Sequence, residues 1–135
     1  MENKFHVSLP CMHIEATENF YNKIIGATIG RKAKNWVDVN LFGHQITFTK
    51  SGKFNFEYPN YMFEKTVLPS FHFGVIMDKT EWNNLYEKLK AHIHIDKTLF
   101  LYDQNGEHQS YFIKDPNGYV IEFKCFSADN SIFKS

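Results

Sequence analysis

The chain has little of what marks a secreted, membrane-bound or nucleic-acid-binding protein. Only two cysteines, Cys11 and Cys125, occur in 135 residues. That is too few for a disulfide framework, and both read as reduced packing thiols. The opening Met1-Glu2-Asn3-Lys4-Phe5 lacks the apolar run of a signal peptide. No later stretch approaches the ~20 apolar residues of a membrane helix. Fifteen basic and fifteen acidic residues cancel, with no basic stretch for nucleic acid and no acidic tail. Neither a Gly-rich phosphate loop nor a Ser-His-Asp order is present. The expectation is a soluble cytoplasmic protein whose partner is a small-molecule substrate, not nucleic acid or membrane, with a homodimer possible.

What is there suits one globular domain over 1–135, with 43% hydrophobic and 22% charged residues. Fourteen Phe and seven Tyr imply either a Phe-rich core or an aromatic-lined pocket.

The chain reads as two similar modules, about 1–52 and 70–135, separated by a linker at about 53–69. Each opens with an alternating strand carrying a histidine, Phe5-His6-Val7-Ser8-Leu9 and Phe71-His72-Phe73-Gly74-Val75. Period two sets His6 and His72 opposite their apolar neighbours. An amphipathic helix follows each. The first spans about Glu15 to Ile25, with Ala16, Phe20 and Ile24 at helical spacing and Gly26 as the stop. The second opens at Asp78 with Glu81 as capping partner and carries Trp82, Leu85 and Leu89 on one face. Three strands complete each module: Ala27 to Lys32, Trp36 to Leu41 and Gln45 to Lys50, then Ile93 to Leu101, Gln109 to Lys114 and Tyr119 to Phe126. The last hairpin turns at Asp115-Pro116-Asn117-Gly118. Both modules read β-α-β-β-β, an α+β fold. The linker, rich in Phe and Tyr but without a period, is expected to be a connecting loop that covers a cavity.

Superposing the closing strands matches Ile46-Thr47-Phe48 with Ile121-Glu122-Phe123, and His6 with His72. Glu122 lies opposite the apolar face of Tyr119, Ile121, Phe123 and Cys125. A carboxylate inside a sheet cavity is costly unless it is paired or coordinates a cation. Two imidazoles and one carboxylate would hold a divalent metal with positions left open, so His6, His72 and Glu122 are the candidate ligands. The competing explanation is that the histidines are satisfied core residues and Glu122 pairs with Lys124.

With the two histidines and Asp115-Pro116-Asn117-Gly118-Tyr119-Val120-Ile121-Glu122-Phe123 on the page, the chain resembles the glyoxalase/bleomycin-resistance/extradiol-dioxygenase (vicinal oxygen chelate) superfamily nearly end to end. Trp36 to Gln45 and Pro69 to Gly74 are similar to its small dioxygenase-like members. The resemblance implies an eight-stranded, incompletely closed sheet cupped around the metal, with helices packed outside. It assigns His6, His72 and Glu122 as ligands. A glyoxalase's further carboxylate would fall near Thr47. The extradiol signature's Tyr falls at Phe112.

The reading that follows is an extradiol-type dioxygenase using Fe(II) or Mn(II) on a small oxygenated molecule. A non-redox lyase, isomerase or transferase with Zn(II) or Ni(II), and a bleomycin-resistance-type binding protein, are the alternatives. Asn40, Gln45, Thr47 and Phe112 are the candidate substrate contacts, while His44 and Asp38 lie nearby on the polar face. His92 and His94 are expected at the surface and His13 in a loop. Glu107, His108 and Gln109 are expected in a solvated loop beside the last hairpin.

Overall fold

The computed structural model describes residues 1–128 and 131–134. They fall into two compact units, Met1–Phe56 with Asp115–Gly118, and Glu57–Lys114 with Tyr119–Ser135.

In the first unit, β1 (His6–Cys11) is followed by α1 (Ile14–Asn19), a π-helical turn (Phe20–Ile25), β2 (Thr28–Ala33), β3 (Trp36–Leu41) and β4 (His44–Lys50). These strands form a four-stranded sheet in the order β1-β4-β3-β2. β1 runs parallel to β4, and β3 is antiparallel to both β4 and β2. Alternation decides which face is covered. Val37, Val39, Ile46 and Phe48 are buried, as β-branched and aromatic residues at period two require.

The second unit repeats this arrangement. β7 (Phe73–Ile76), α2 (Lys79–Lys90), β8 (Thr98–Phe100), β9 (His108–Lys114) and β10 (Val120–Phe126) give a mixed sheet in the order β7-β10-β9-β8. Asp78 caps α2 by accepting the Glu81 backbone N–H at 2.9 Å. Trp82, Leu85 and Leu89 are buried, and the Trp82 indole donates to the Phe123 carbonyl at 2.8 Å. The fold is thus α+β with two four-stranded mixed sheets, each joined through a β-α-β-β-β connection.

Four local expectations need correcting. The expected linker contains a hairpin, β5 (Asn60–Phe63) paired antiparallel with β6 (Thr66–Pro69). Its turn places Glu64 at φ 55°, a conformation that no pattern of apolar residues announces.

The inward face of the first helix is rotated by one residue. Thr17, Tyr21 and Ile25 are buried, whereas Ala16 is exposed and Phe20 and Ile24 are half-buried. Two polar anchors fix that rotation. The Tyr21 hydroxyl donates to Asp115 Oδ2 at 2.9 Å, and the Asn117 amide donates to Thr17 Oγ1 at 3.1 Å. The widened π turn then ends at Gly26, whose φ of 90° suits glycine. Asp115 and Asn117 are therefore buried hydrogen-bonding residues as well as turn formers.

His108 is not in a solvated loop. It opens β9, is buried, and its ring lies 5.3 Å from Phe100 and 5.2 Å from Phe126 between centroids. The strand expected from Ile93 is confined to Thr98–Phe100. His92 and His94 are exposed. Cys11 and Cys125 are buried, and burial pushes the Cys11 thiol up.

Candidate metal centre

The registers of the two sheets can be compared residue by residue. In the first unit Thr47 on β4 pairs with Ser8 on β1 and Asp38 on β3. In the second, Glu122 on β10 pairs with Gly74 on β7 and Phe112 on β9. His6 precedes Ser8 by two residues, and His72 precedes Gly74 by two. The correspondence of His6 with His72 and of Thr47 with Glu122 thus holds at the level of hydrogen-bonded strands. His72 itself lies just before β7, one residue outside the strand expected to carry it.

Within the second unit His72 and Glu122 come together, Nε2 standing 3.2 Å from Oε1. His72 Nδ1 is 3.0 Å from the Pro69 carbonyl. A carbonyl only accepts, so Nδ1 carries the proton and donates. In the neutral ring Nε2 then presents a lone pair toward a carboxylate oxygen. Two electron-pair donors at 3.2 Å need a proton or a cation between them. Two cis ligands each ~2.1 Å from one divalent ion stand about 3 Å apart, so the separation suits a shared metal. The neighbouring groups set the orientation of both. Ser110, fully buried, donates its hydroxyl to Glu122 Oε2 at 2.6 Å, which leaves Oε1 on the His72 side. Lys124 Nζ is 3.8 Å from the same Oε1, the contact foreseen as the competing explanation. Phe112 stands edge-on to the His72 ring, with centroids 6.1 Å apart.

His6, in the first unit, is exposed at the start of β1 and pairs in register with Gln45. Among the described residues no group of three or more His, Cys, Asp or Glu side chains is gathered as a metal cluster. The pair in the second unit is what the structure assembles.

Of the remaining candidates in the first unit, Gln45 and Thr47 converge on Asp38, whose importance the sequence reading underrated. Asp38 is 4% exposed. It accepts from Thr47 Oγ1 at 2.7 Å, from Gln45 Nε2 at 3.1 Å and from Arg31 Nε at 3.0 Å. Asn40 serves the β3–β4 turn, its Oδ1 accepting the Gly43 backbone N–H at 2.7 Å. His44 Nδ1 accepts the Phe5 backbone N–H at 3.1 Å. Sequence reasoning missed Ser110 and the Pro69 carbonyl entirely. The first could have been sought as the polar residue alternating out of Tyr111 and Ile113. A backbone carbonyl leaves no signal in the side-chain pattern.

Several side chains elsewhere have shifted acidities. Glu107 is held low by the Asp103 backbone N–H and the Ser127 hydroxyl. Lys90 is raised by Glu87, and burial pushes the Tyr111 phenol up.

The comparisons with known proteins agree with this architecture. Residues 5–123 match the family model of the Glyoxalase/Bleomycin resistance protein/Dioxygenase superfamily, and the chain belongs to that superfamily. Its fold is similar to a glyoxalase/bleomycin resistance protein/dioxygenase from Alicyclobacillus acidocaldarius, with TM-score 0.82, 24% identity, and 97% of this chain and 96% of that one covered. A virulence protein from Salmonella typhimurium aligns with TM-score 0.63 at 21% identity, covering 93% of this chain and 98% of that one. A genomically encoded fosfomycin resistance protein, FosX, from Listeria monocytogenes aligns with TM-score 0.65 at 14% identity, covering 97% and 98%. At such identities the likeness concerns the fold. No curated protein matches the sequence. Among the described residues no helix is long and apolar enough to cross a membrane.

Proposed function

We propose that the chain is a metal-dependent enzyme of its superfamily, with His6, His72 and Glu122 as ligands to one divalent ion. The observation that carries this reading is the approach of His72 Nε2 to Glu122 Oε1 at 3.2 Å, with Nδ1 engaged by the Pro69 carbonyl. This is the outer-partner arrangement that orients metal-bound imidazoles. His6 enters as the repeat equivalent of His72.

The chemistry we assign is an extradiol-type dioxygenation of a small oxygenated molecule, with Fe(II) or Mn(II). When bound, such an ion supplies a Lewis acid for adjacent substrate oxygens and one-electron chemistry toward dioxygen. The chain's own residues do the positioning. The Pro69 carbonyl engages His72 Nδ1, Ser110 holds Glu122 Oε2 so that Oε1 is left to His72 and would be the oxygen offered to an ion, and Phe112 keeps one side of the imidazole apolar.

A non-redox lyase, isomerase or transferase reading is favoured by one feature. Phe112, paired with Glu122 across β9 and β10, offers no hydroxyl to a substrate oxygen. The two readings separate by oxygen uptake with catechols and small dicarbonyls on protein loaded with Fe(II), Mn(II) or Zn(II). The dioxygenase reading expects uptake with the first two ions and none with Zn(II). Equal turnover with Zn(II), or an unchanged rate without oxygen, would move the assignment to the non-redox class. Metal analysis after purification without chelator should give about one ion per chain; a metal-free protein that binds none on titration would remove the metal reading altogether.

A further inference from the structure

The first unit contains a cavity of about 270 Å³ on its sheet, lined by Lys4, Arg31, Asp38, Asn40, His44 and Gln45 among others. Its polar groups have a consistent sense. The lining acceptors with the strongest charge are already engaged: Asp38 receives hydrogen bonds from Arg31, Gln45 and Thr47, and Asn40 Oδ1 receives one from Gly43. The donors are left over. Arg31 uses Nε on Asp38, and its guanidinium lies over the Trp36 ring at 5.5 Å, so its two terminal nitrogens are held in a fixed plane. His44 accepts through Nδ1 from Phe5, which places the proton of the neutral ring on Nε2. Asn40 keeps its amide N–H donors, and Lys4 contributes an ammonium beside Gly43. Arg31 and Asp38 cancel in charge, and Lys4 leaves one net positive charge.

We infer that this cavity binds the oxyanion head of a small anionic molecule, a carboxylate or a phosphate. A pocket whose one carboxylate is satisfied internally, and which keeps donors on Lys4, Arg31, Asn40 and His44 against the single amide oxygen of Gln45, is complementary to a group that only accepts. Gly30 also lines the cavity, and a Cβ there would rest in ordinary contact with the Asp38 side chain at 3.4 Å, so bulk added at this position meets the organising carboxylate. The inference goes beyond the metal reading and does not rest on it, because none of the residues it uses is one of the three proposed ligands.

The test is a ¹H–¹⁵N NMR titration of the full chain, stripped of metal on a chelating resin, at fixed ionic strength. Inorganic phosphate and acetate are the two probes, and acetamide is the neutral control. Saturable binding on the order of 1 mM is expected for at least one anion, the affinity of a few charge-assisted hydrogen bonds at their net worth. Shifts should centre on Gly30, Gly43 and His44, with acetamide inert. A preference for phosphate or for acetate identifies which head group the pocket takes, and either one supports the inference. Lys4→Gln and Arg31→Gln should each weaken binding about tenfold. Gly30→Val should block the cavity while leaving every charge in place. Lys4 is exposed and takes no part in the three hydrogen bonds to Asp38, so Lys4→Gln reads the result even where Arg31→Gln fails to fold. No saturable shift with either anion, or binding that Lys4→Gln and Gly30→Val both leave unchanged, would overturn it. Removing metal on the resin beforehand keeps the outcome independent of whether the chain holds a metal, without adding a competing carboxylate.

Discussion

The two units use one register for different purposes. In the second, the central parallel strand carries a carboxylate, Glu122, beside His72, hydrogen-bonded by the Ser110 hydroxyl and with the Lys124 ammonium 3.8 Å away. In the first, the equivalent strand carries Thr47, and the carboxylate sits one strand over, on Asp38, where three donors engage it. A carboxylate with few protein donors, facing an imidazole nitrogen, is suited to a cation. One wrapped by donors has its charge answered internally and serves to position them. The duplication therefore supplies a frame, and a one-strand displacement of the acid separates a candidate metal ligand from an organiser of hydrogen bonds.

The sharpest break in the comparison is at Gly74. It pairs with Glu122, and a Cβ there would stand 1.7 Å from the Glu122 carbonyl oxygen. The equivalent Ser8 already carries a Cβ opposite Thr47. Gly74→Ala should thus force β7 away from β10 and destabilise by ~3 kcal/mol or more, at the upper end of overpacking costs. Ser8→Ala should stay within about 0.5 kcal/mol, as surface substitutions do. Urea unfolding of both variants checks this, and equal midpoints would mean the two strand pairs are not built alike.

Next in size is the response to metal. His72→Ala and Glu122→Gln should each lower affinity for a divalent ion by more than ~100-fold, beyond the cost of losing an outer partner. Glu122→Gln should leave the fold nearly intact, because the amide preserves shape. Asp38→Asn should do the opposite, costing about 1–3 kcal/mol from its mispaired donors while metal affinity is unchanged. Titration calorimetry with Mn(II), paired with thermal melts, separates the two. A folding loss in Glu122→Gln with no change in metal binding would make the His72 contact a structural ion pair.

Much of this frame is legible in the residues. The alternation of Val37, Val39, Ile46 and Phe48, and of Tyr119, Ile121 and Phe123, fixes which way Glu122 and Thr47 point. Pleat allows only two choices and burial selects one. The Asp78–Glu81 cap is equally local. What escaped was set by tertiary partners. The one-residue rotation of the first helix depends on Tyr21 and Thr17 finding Asp115 and Asn117, about a hundred positions away in the chain. The β5–β6 hairpin has no clean period-two pattern, and its exposed Tyr61, Met62 and Val67 conceal the strand signal. Asp38 was visible as a polar residue between Val37 and Val39, but its three donors come from other strand positions.

A smaller effect is expected at Ser110, whose hydroxyl holds Glu122 Oε2. Ser110→Ala should lower metal affinity by ~10-fold, the lower end of what outer partners contribute. It should cost about 1 kcal/mol of stability, the net worth of one hydrogen bond. Ser110→Thr retains the donor and should restore most of the affinity if the added methyl fits the fully buried site. An affinity that ignores the loss of the hydroxyl would mean that Glu122 is oriented by Lys124 or by the strand alone.

The smallest change separates the two chemistries. Phe112 is the register counterpart of Asp38, yet where Asp38 is polar and bonded, Phe112 offers only an edge to His72 at 6.1 Å between centroids. Phe112→Tyr adds one oxygen to a half-buried ring, so stability should move by less than ~1 kcal/mol and the divalent affinity should be unaltered. If a substrate oxygen lies beside His72, the new hydroxyl gains a hydrogen bond to it. The variant should then change KM or kcat for catechols by up to about tenfold, the span of one net hydrogen bond. Steady-state oxygen uptake on Fe(II)-loaded wild type and variant reads this directly. Identical kinetics, together with unchanged metal binding, would place the substrate on another side of the imidazole and remove Phe112 from the candidate contacts.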